Sequence, residues 1–235
     1  MGIELTWLGH GCWSIWIKST TSGDHTILLD PFLDDSPTAP VKAADVEADY
    51  ILISHGHFDH VSDAAKIARR TGALVISNFE ICEWLGRQGI ENTHPHNLGG
   101  GSHQKFGRVQ LTLAHHSSQL PDGSYGGNPS GFLLWAEGRT LYFACDTALF
   151  YDMKLIGERA IDVAVLPVGD QFTMGPDDAI HAIKLIEPKV VVPSHYDTWP
   201  PIHQDVEAWA HRVRTETTSD PRILVPGGKI VLNTL

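Results

Sequence analysis

The sequence is short of cysteine, of basic residues and of long apolar runs, and each shortage removes a class of protein. Three cysteines, Cys12, Cys82 and Cys145, occur in 235 residues. An odd, widely spaced set does not make a disulfide framework and suits a reducing compartment. No apolar stretch approaches the ~20 residues of a membrane-crossing helix. The opening Met1-Gly2-Ile3-Glu4-Leu5 lacks the basic start and apolar core of a secretory signal, so a cytoplasmic location is expected. Lysine and arginine number 17 against 28 acids, a net charge of −11. Broad nucleic-acid binding needs basic surface and is not expected. A small substrate remains open, even an anionic one, wherever metal ions supply local positive charge. Repeats, linkers and composition breaks are also missing, so a single domain over residues 1–235 is expected. The apolar fraction of 42% and charged fraction of 19% are those of an ordinary globular chain.

What is present is a concentration of metal ligands. Ser54-His55-Gly56-His57-Phe58-Asp59-His60 places four good donors within six residues, as His-x-His-x-Asp-His. An apolar β run, Tyr50-Ile51-Leu52-Ile53, precedes it. An amphipathic helix follows over residues 63–71, with Ala64, Ile67 and Ala68 on one face. The ligands therefore sit on a strand-to-helix loop, where a rigid scaffold can aim them at one point. Imidazole suits zinc and its neighbours, and the carboxylate adds a hard anionic donor. The plainer reading, a polar loop merely rich in histidine, does not account for spacing, mixed donors and context agreeing.

The motif resembles the signature of the metallo-β-lactamase superfamily. Within it the chain is similar to a small single-domain branch of metal-dependent hydrolases (UPF0173 type) related to the ascorbate-6-phosphate lactonases. The stretches that carry the likeness include Trp7-Leu8-Gly9-His10, Leu29-Asp30-Pro31-Phe32, Ser54 to His60, Asn92 to His96, Asp146 to Phe150, Gly169 to Pro176 and Pro193-Ser194-His195-Tyr196. They run from near the N-terminus to residue 196. The ligand loop marks the superfamily, and Phe172-Thr173-Met174-Gly175-Pro176 points to the branch. The resemblance implies an αββα sandwich with the metal site at one edge of two sheets.

The rest of the chain reads in keeping with that fold. Strands are expected at 3–8, 13–18 and 27–29, with Gly9-His10-Gly11 turning between the first two. A loop over 34–45 is expected to cover part of the site. Then come a strand at 74–77, a helix at 79–87, a loop at 92–104, a strand at 108–115, a Gly-rich loop at 122–131 and a hairpin of 132–136 with 141–144. A helix at 148–157, a strand at 162–166, a helix from Pro176 to about 187, a strand at 190–192, a helix at 204–216 and a closing pair of strands at 222–225 and 229–232 complete it. The fold class is α/β (α+β): two mixed sheets covered by helices on their outer faces.

A dinuclear site needs further ligands from strand ends on the same edge. His116, Asp146 and His195 each follow a β run. The resemblance implies His55, His57 and His116 on one metal, Asp59, His60 and His195 on the other, and Asp146 bridging them. His115 neighbours His116, and adjacent strand residues face opposite ways, so one of the two is a ligand; the match to the branch favours His116. Cys145 departs from the pattern, which usually has Gly before the bridging Asp, and reads as a small buried residue. Asp30 is an exposed turn acid or, as the resemblance favours, the acceptor that orients the ligand loop. Asp170 is a plain turn acid or plays a similar part. His10 and His96, on Gly-flanked loops, are solvated or line the substrate pocket as proton donors or anion contacts, and His10 joins Asp59 and Asp146 as a catalytic candidate. Thr173 and Met174 form the pocket wall by resemblance. Trp199, Pro200 and Pro201 belong to an apolar rim or to the core.

Two divalent ions, zinc first and manganese second, would hold a shared water and lower its pKa from 15.7 to about 7. The expectation is hydrolysis of a small ester, lactone or phosphoester by direct water attack, falling off below about pH 6 as ligand imidazoles protonate. The expected partner is a small-molecule substrate, with a homo-oligomer allowed. Two rival readings are a di-iron redox protein on this fold, whose relatives typically carry Glu where this chain has His57, and a metal-stabilised binding module without catalysis.

Overall fold

The structure is a computed structural model that describes residues 2–233. Its strands are β1 Gly2–Trp7, β2 Trp13–Lys18, β3 His25–Leu29, β4 Tyr50–Leu52, β5 Leu74–Asn78, β6 Thr93–His96, β7 Gly101–Gln104, β8 Gly107–Leu113, β9 Ser130–Ala136, β10 Arg139–Phe143, β11 Val163–Pro167, β12 Val190–Ser194, β13 Asp220–Pro221 and β14 Lys229–Asn233. The helices are α1 Phe58–Val61, α2 Ala64–Thr71, α3 Phe79–Arg87, α4 Met153–Gly157, α5 Pro176–Ile186 and α6 Val206–Glu216.

The strands form two seven-stranded sheets, in the orders β14-β1-β2-β3-β4-β5-β6 and β13-β12-β11-β10-β9-β8-β7. In each, antiparallel meander strands give way to parallel ones as helices begin to alternate: β3, β4, β5 and β6 are parallel, as are β10 to β13. Parallel strands need crossovers, and crossover helices cover the sheet faces, so β4 and β11 are buried throughout. β1 and β2 instead alternate buried and more exposed residues, as a period of two on a one-sided sheet requires.

Two apolar clusters hold the layers. The larger joins facing side chains of both sheets, such as Leu5, Ile15, Leu52, Phe132 and Phe143, to the inner faces of α5 and α6, among them Ile180, Ile183 and Trp209. The smaller packs α2 and α3 through Ile67, Ile81 and Leu85 onto Ile51, Ile53 and Val75. Local signals fix the helix starts. Asn78 caps α3, its Oδ1 accepting from Ile81 N at 2.9 Å. Pro176 sits at the first position of α5 with Asp177 and Asp178 in the first turn.

Several expectations are corrected. The 92–104 loop contains β6 and β7, the edge strands of opposite sheets, whose polar sequences carry no apolar alternation. The 148–157 helix shrinks to α4, because residues before it are held extended by Ala148 N to His115 O at 3.1 Å and Met174 N to Thr147 O at 2.9 Å. The closing strands do not pair: β13, at 220–221, adds to β12, while β14 adds to β1 on the other sheet. The 34–45 loop does not border the site. It is drawn toward α2 by Asp63, which accepts from Asp34 N at 3.0 Å, and by an Asp34–Lys66 ion pair at 2.5 Å.

Candidate metal centre

The ligand loop leaves β4 and immediately enters α1, so Asp59 and His60 ride on a helical turn rather than on free loop. His116 follows β8, Asp146 follows β10 and His195 follows β12, all from the second sheet. The two sheets thus meet at one edge. The exits are sharp: His10, Asp30, Cys145 and His195 all have left-handed backbones, at φ 51°, 45°, 52° and 56°. A left-handed non-glycine costs about 1–2 kcal/mol, and such residues cluster where a scaffold dictates direction. The value at Cys145 is one that glycine adopts without strain, so a side chain here is held against its backbone preference. Gly11 is fixed by another constraint, since a Cβ on it would lie 2.8 Å from the His60 ring.

Three ring nitrogens converge in one half of the site. His57 Nδ1 is 3.0 Å from His55 Nε2 and 3.3 Å from His116 Nε2. A tetrahedral zinc with bonds of about 2.0–2.1 Å holds donors about 3.3–3.4 Å apart, so the spacing suits one cation. The remaining ring nitrogens set the tautomers. His55 Nδ1–H donates to Ser54 Oγ at 2.9 Å, and Ser54 Oγ–H donates to Asp30 Oδ2 at 2.6 Å. His57 Nε2 meets Ser117 Oγ at 3.2 Å.

The other half gathers Asp59, His60 and His195, with His10 beside them. His60 Nδ1 donates to Asp30 Oδ2 at 2.9 Å. Asp30 therefore steers a ring in each half, directly in one and through Ser54 in the other. His60 Nε2 and both nitrogens of His195 are buried without a hydrogen-bond partner. Buried polar atoms are rarely left so, and a cation would satisfy the two Nε2 atoms. Asp146 Oδ2 lies between the halves: 3.1 Å from His195 Nε2, 3.3 Å from His60 Nε2, 3.6 Å from His116 Nε2 and 3.9 Å from His55 Nε2. The donor set, its spacing and its orphaned nitrogens fit divalent cations.

Charge is unevenly shared. Burial lowers the pKa of His55, His57 and His116 below the usual imidazole value of 6.5, so the open triad is neutral and ready to ligate. Burial opposes charge on His60 as well, but Asp146, Asp30 and Asp59 outweigh it and raise this imidazole well above 6.5. Asp146 is also penalised by burial, yet His195 and His60 hold it well below the usual carboxylate range.

Of the remaining candidates, Asp30 is the buried acceptor just described. His10 is not a pocket wall. It is fully buried, Nε2 donating to Asp59 Oδ2 at 2.9 Å and Nδ1 accepting from Thr198 Oγ1 at 2.8 Å. Burial, then His195, pushes it down to about 3, so it acts as a neutral prop for Asp59 and not as a proton donor to substrate. Its carbonyl accepts from Trp7 Nε1 at 2.9 Å, Ser194 Oγ at 2.9 Å and His195 N at 3.1 Å. His96 lies on β6, 4.8 Å from the His94 ring and in none of the ligand groups. Asp170 is an exposed turn acid whose backbone, not its side chain, makes the hydrogen bonds with Thr173 and Met174. Met174 is in the core, and the Thr173 hydroxyl turns back to Met174 O at 3.3 Å. His115 lies outside the ligand groups, its ring 5.1 Å from Phe150.

A cavity of about 470 Å³ opens over the centre, walled by Phe58, Phe172 and Trp199 above His57, His116 and His195. Phe58 and Phe172 were missed as pocket residues. Both stand beside singled-out positions, and their signal is a large aromatic flanked on both sides by polar residues, His57 and Asp59 in one case and Gln171 and Thr173 in the other.

Residues 4–195 match the family described as Beta-lactamase superfamily domain. The chain is 46% identical over 233 residues to a UPF0173 metal-dependent hydrolase of Lysinibacillus sphaericus, covering 97% of this chain and 99% of that one. It is 48% identical over 236 residues to a counterpart in Shouchella clausii, covering 98% and 100%. Among solved structures it resembles Igni18, described as a novel metallo hydrolase from the hyperthermophilic archaeon Ignicoccus hospitalis, with TM-score 0.87, 32% identity and 99% of each chain covered.

Proposed function

The chain belongs to the beta-lactamase superfamily, as one of its UPF0173 metal-dependent hydrolases, and from that premise we propose that it hydrolyses a small ester, lactone or phosphoester at a dinuclear centre. The observation that carries this reading is Asp146 Oδ2, set within 3.1–3.9 Å of four imidazole nitrogens drawn from both halves. His55, His57 and His116 would hold one cation, Asp59, His60 and His195 the other, with Asp146 shared. When bound there, two divalent cations, zinc first and manganese second, would supply Lewis acidity and a water acidified to about pKa 7 as nucleophile.

The chain's own groups do the rest. Asp30 fixes which nitrogen of His55 and His60 is left as a lone pair. Neutral His10 keeps the Asp59 carboxylate turned inward. The aromatic wall shields the cavity from bulk water, which strengthens every charge interaction on its floor. No serine or cysteine nucleophile is needed: Cys145 is pushed well above its ordinary pKa by burial and by Asp30 and Asp146, and stays a thiol.

No helix among the described residues is long and apolar enough to cross a membrane. The reading places the enzyme in the cytoplasm, acting on a small molecule, with self-association allowed. Elemental analysis after gentle desalting should find close to two divalent ions per chain. The metal-loaded protein should turn over at least one of a panel of lactones, phosphodiesters and thioesters. One ion or fewer at saturation overturns the dinuclear centre, and a visible iron absorption band would favour the redox alternative.

A further inference from the structure

We propose that this centre is built for uncharged carboxylic esters or lactones with an aromatic or branched apolar group on one side of the scissile bond and a neutral polar group on the other; this rests on the hydrolytic reading above. Two cavities meet at His116 and Ser117. The one over the ligands is walled by Phe58, Phe172 and Trp199. Phe58 and Phe172 are 56% and 53% exposed, a large aromatic outlay in water that a soluble surface carries where something apolar binds. Part of this wall stands before any ligand arrives. Buried Phe32 backs it at 5.9 Å from the Phe58 ring and 6.0 Å from the Trp199 ring, and Phe58 and Trp199 are 6.2 Å apart, distances at which aromatic rings hold one another.

The second cavity, about 440 Å³, is lined by neutral hydrogen-bonding groups, among them Gln119, Ser124, Tyr125 and Asn128. Among the described residues, no lysine or arginine lines either cavity. A phosphate on either arm of the substrate would meet no guanidinium or ammonium clamp. Asp59 and Asp146 already offset half the charge of two divalent cations, and the single negative charge that develops on an ester carbonyl suits what remains. A phosphorylated sugar lactone, the substrate type of the lactonases the sequence resembles, is poorly served. The reaction consumes water. Its oxygen bonds to the carbonyl carbon, the bond from that carbon to the alcohol oxygen breaks, the leaving alkoxide takes one water proton, and the acid formed loses the other to solvent.

The zinc-loaded chain tests this with three substrates: γ-phenyl-γ-butyrolactone, γ-butyrolactone and 6-phosphogluconolactone. The phenyl lactone should exceed each of the others in kcat/KM by about tenfold or more, the discrimination an apolar contact supplies. Phe172→Ala should bring the phenyl-to-plain ratio to within about threefold of one, and Phe172→Lys should raise the phosphorylated lactone about tenfold relative to the phenyl one. Phosphorylated lactone turned over fastest by the unaltered protein, or ratios untouched by both substitutions, overturns the proposal. Calorimetry on the same zinc-loaded protein gives a readout apart from turnover. 4-Phenylbutyrate should bind about tenfold tighter than butyrate, an advantage lost in Phe172→Ala. If no lactone is hydrolysed but a phosphodiester or thioester is, this proposal fails and the hydrolytic reading stands; if nothing in the wider panel is turned over, the hydrolytic reading fails. Equal binding of the two carboxylates would separately overturn the apolar arm.

Discussion

In the first half His57 and His116 are partly exposed and face the cavity, with only His55 buried, whereas in the second His60 and His195 are buried and Asp59 nearly so. The first half has three neutral imidazoles with few outside supports, chiefly Ser54 and Ser117. The second has Asp30 behind His60, His10 behind Asp59 and Thr198 behind His10. Without a cation, the first half is a set of lone pairs waiting for charge. The second is a buried cluster of carboxylates whose charge raises the His60 imidazole above its usual value. One half is organised to receive a cation and the other to exchange a proton for one.

Asp146→Asn attacks both halves at once and should have the largest effect. The amide keeps the size but loses the charge that offsets two cations. Turnover should fall by orders of magnitude, with at least one ion lost, the Asp59/His60/His195 one first, while the fold persists on its apolar core. Metal counting and a hydrolysis assay on one purified variant read this out; a fully loaded, active variant would falsify the sharing role.

Substituting one imidazole from each half sharpens the contrast. His60→Gln leaves Asp30, Asp59 and Asp146 buried without their cation, and should destabilise the metal-free protein by about 3–5 kcal/mol. His116→Gln, in the open half, should cost under about 1 kcal/mol. Urea melts with chelator present would show equal shifts if the halves were alike.

Asp30→Asn tests the one residue that serves both. It should weaken metal binding about 10–100-fold without removing a ligand, and should affect both ions, since Asp30 reaches His60 directly and His55 through Ser54. Competition titration against a zinc chelator reads the two affinities; loss confined to one ion would show that the Ser54 relay is idle.

The smallest effect is in proton traffic. His60 is raised, so cation uptake in its half should release a proton at neutral pH. His55, His57 and His116 are lowered, so uptake there should release none. Calorimetry in two buffers of different ionisation heat should show buffer dependence that falls in His60→Gln to what the acidified water alone supplies. The same signs govern stability without metal. His10, brought to about 3 from 6.5, contributes stability that is present above pH 6.5 and lost as pH falls toward 3. His60 contributes stability present below 6.5 and lost as pH rises through its raised value. The expectation that activity fades below about pH 6 changes accordingly: the open triad should keep its cation into more acid solution than ordinary imidazoles would. Chemical denaturation and metal retention from pH 7 to 4 test both.

The loop from His55 to His60 was readable because one short segment holds four donors. His116, Asp146 and His195 were readable because strand ends converge, and resemblance supplied which strands. His10 was misread because its surroundings, Thr198 and Asp59, lie 188 and 49 residues away, and nothing local distinguishes a buried loop histidine from a solvated one. Thr173 and Met174 marked the right turn but the wrong side chain: Phe172, one residue earlier, carries the exposed ring. β6 and β7 were invisible because edge strands with polar faces lack the alternation that betrays a strand. The helix at 148–157 failed for a related reason, since its first residues are claimed by backbone hydrogen bonds to distant loops.

The carbonyl of His10, gripped by Trp7, Ser194 and the His195 amide, also sets a timetable. Its grip spans 184 residues to Ser194, and loops that long close late and slowly. During synthesis the histidine loop emerges well before the strand that ends in Ser194, and the turn bearing His10, closed locally by Leu8 N to Cys12 O and Cys12 N to Gly9 O, lacks its Ser194 and His195 donors until that strand arrives. A nascent chain can offer ions the His55–His60 segment early, but Asp59 gains its prop and His195 its direction only when β12 docks. The second half of the centre is thus incomplete until β12 has docked on the turn that bears His10.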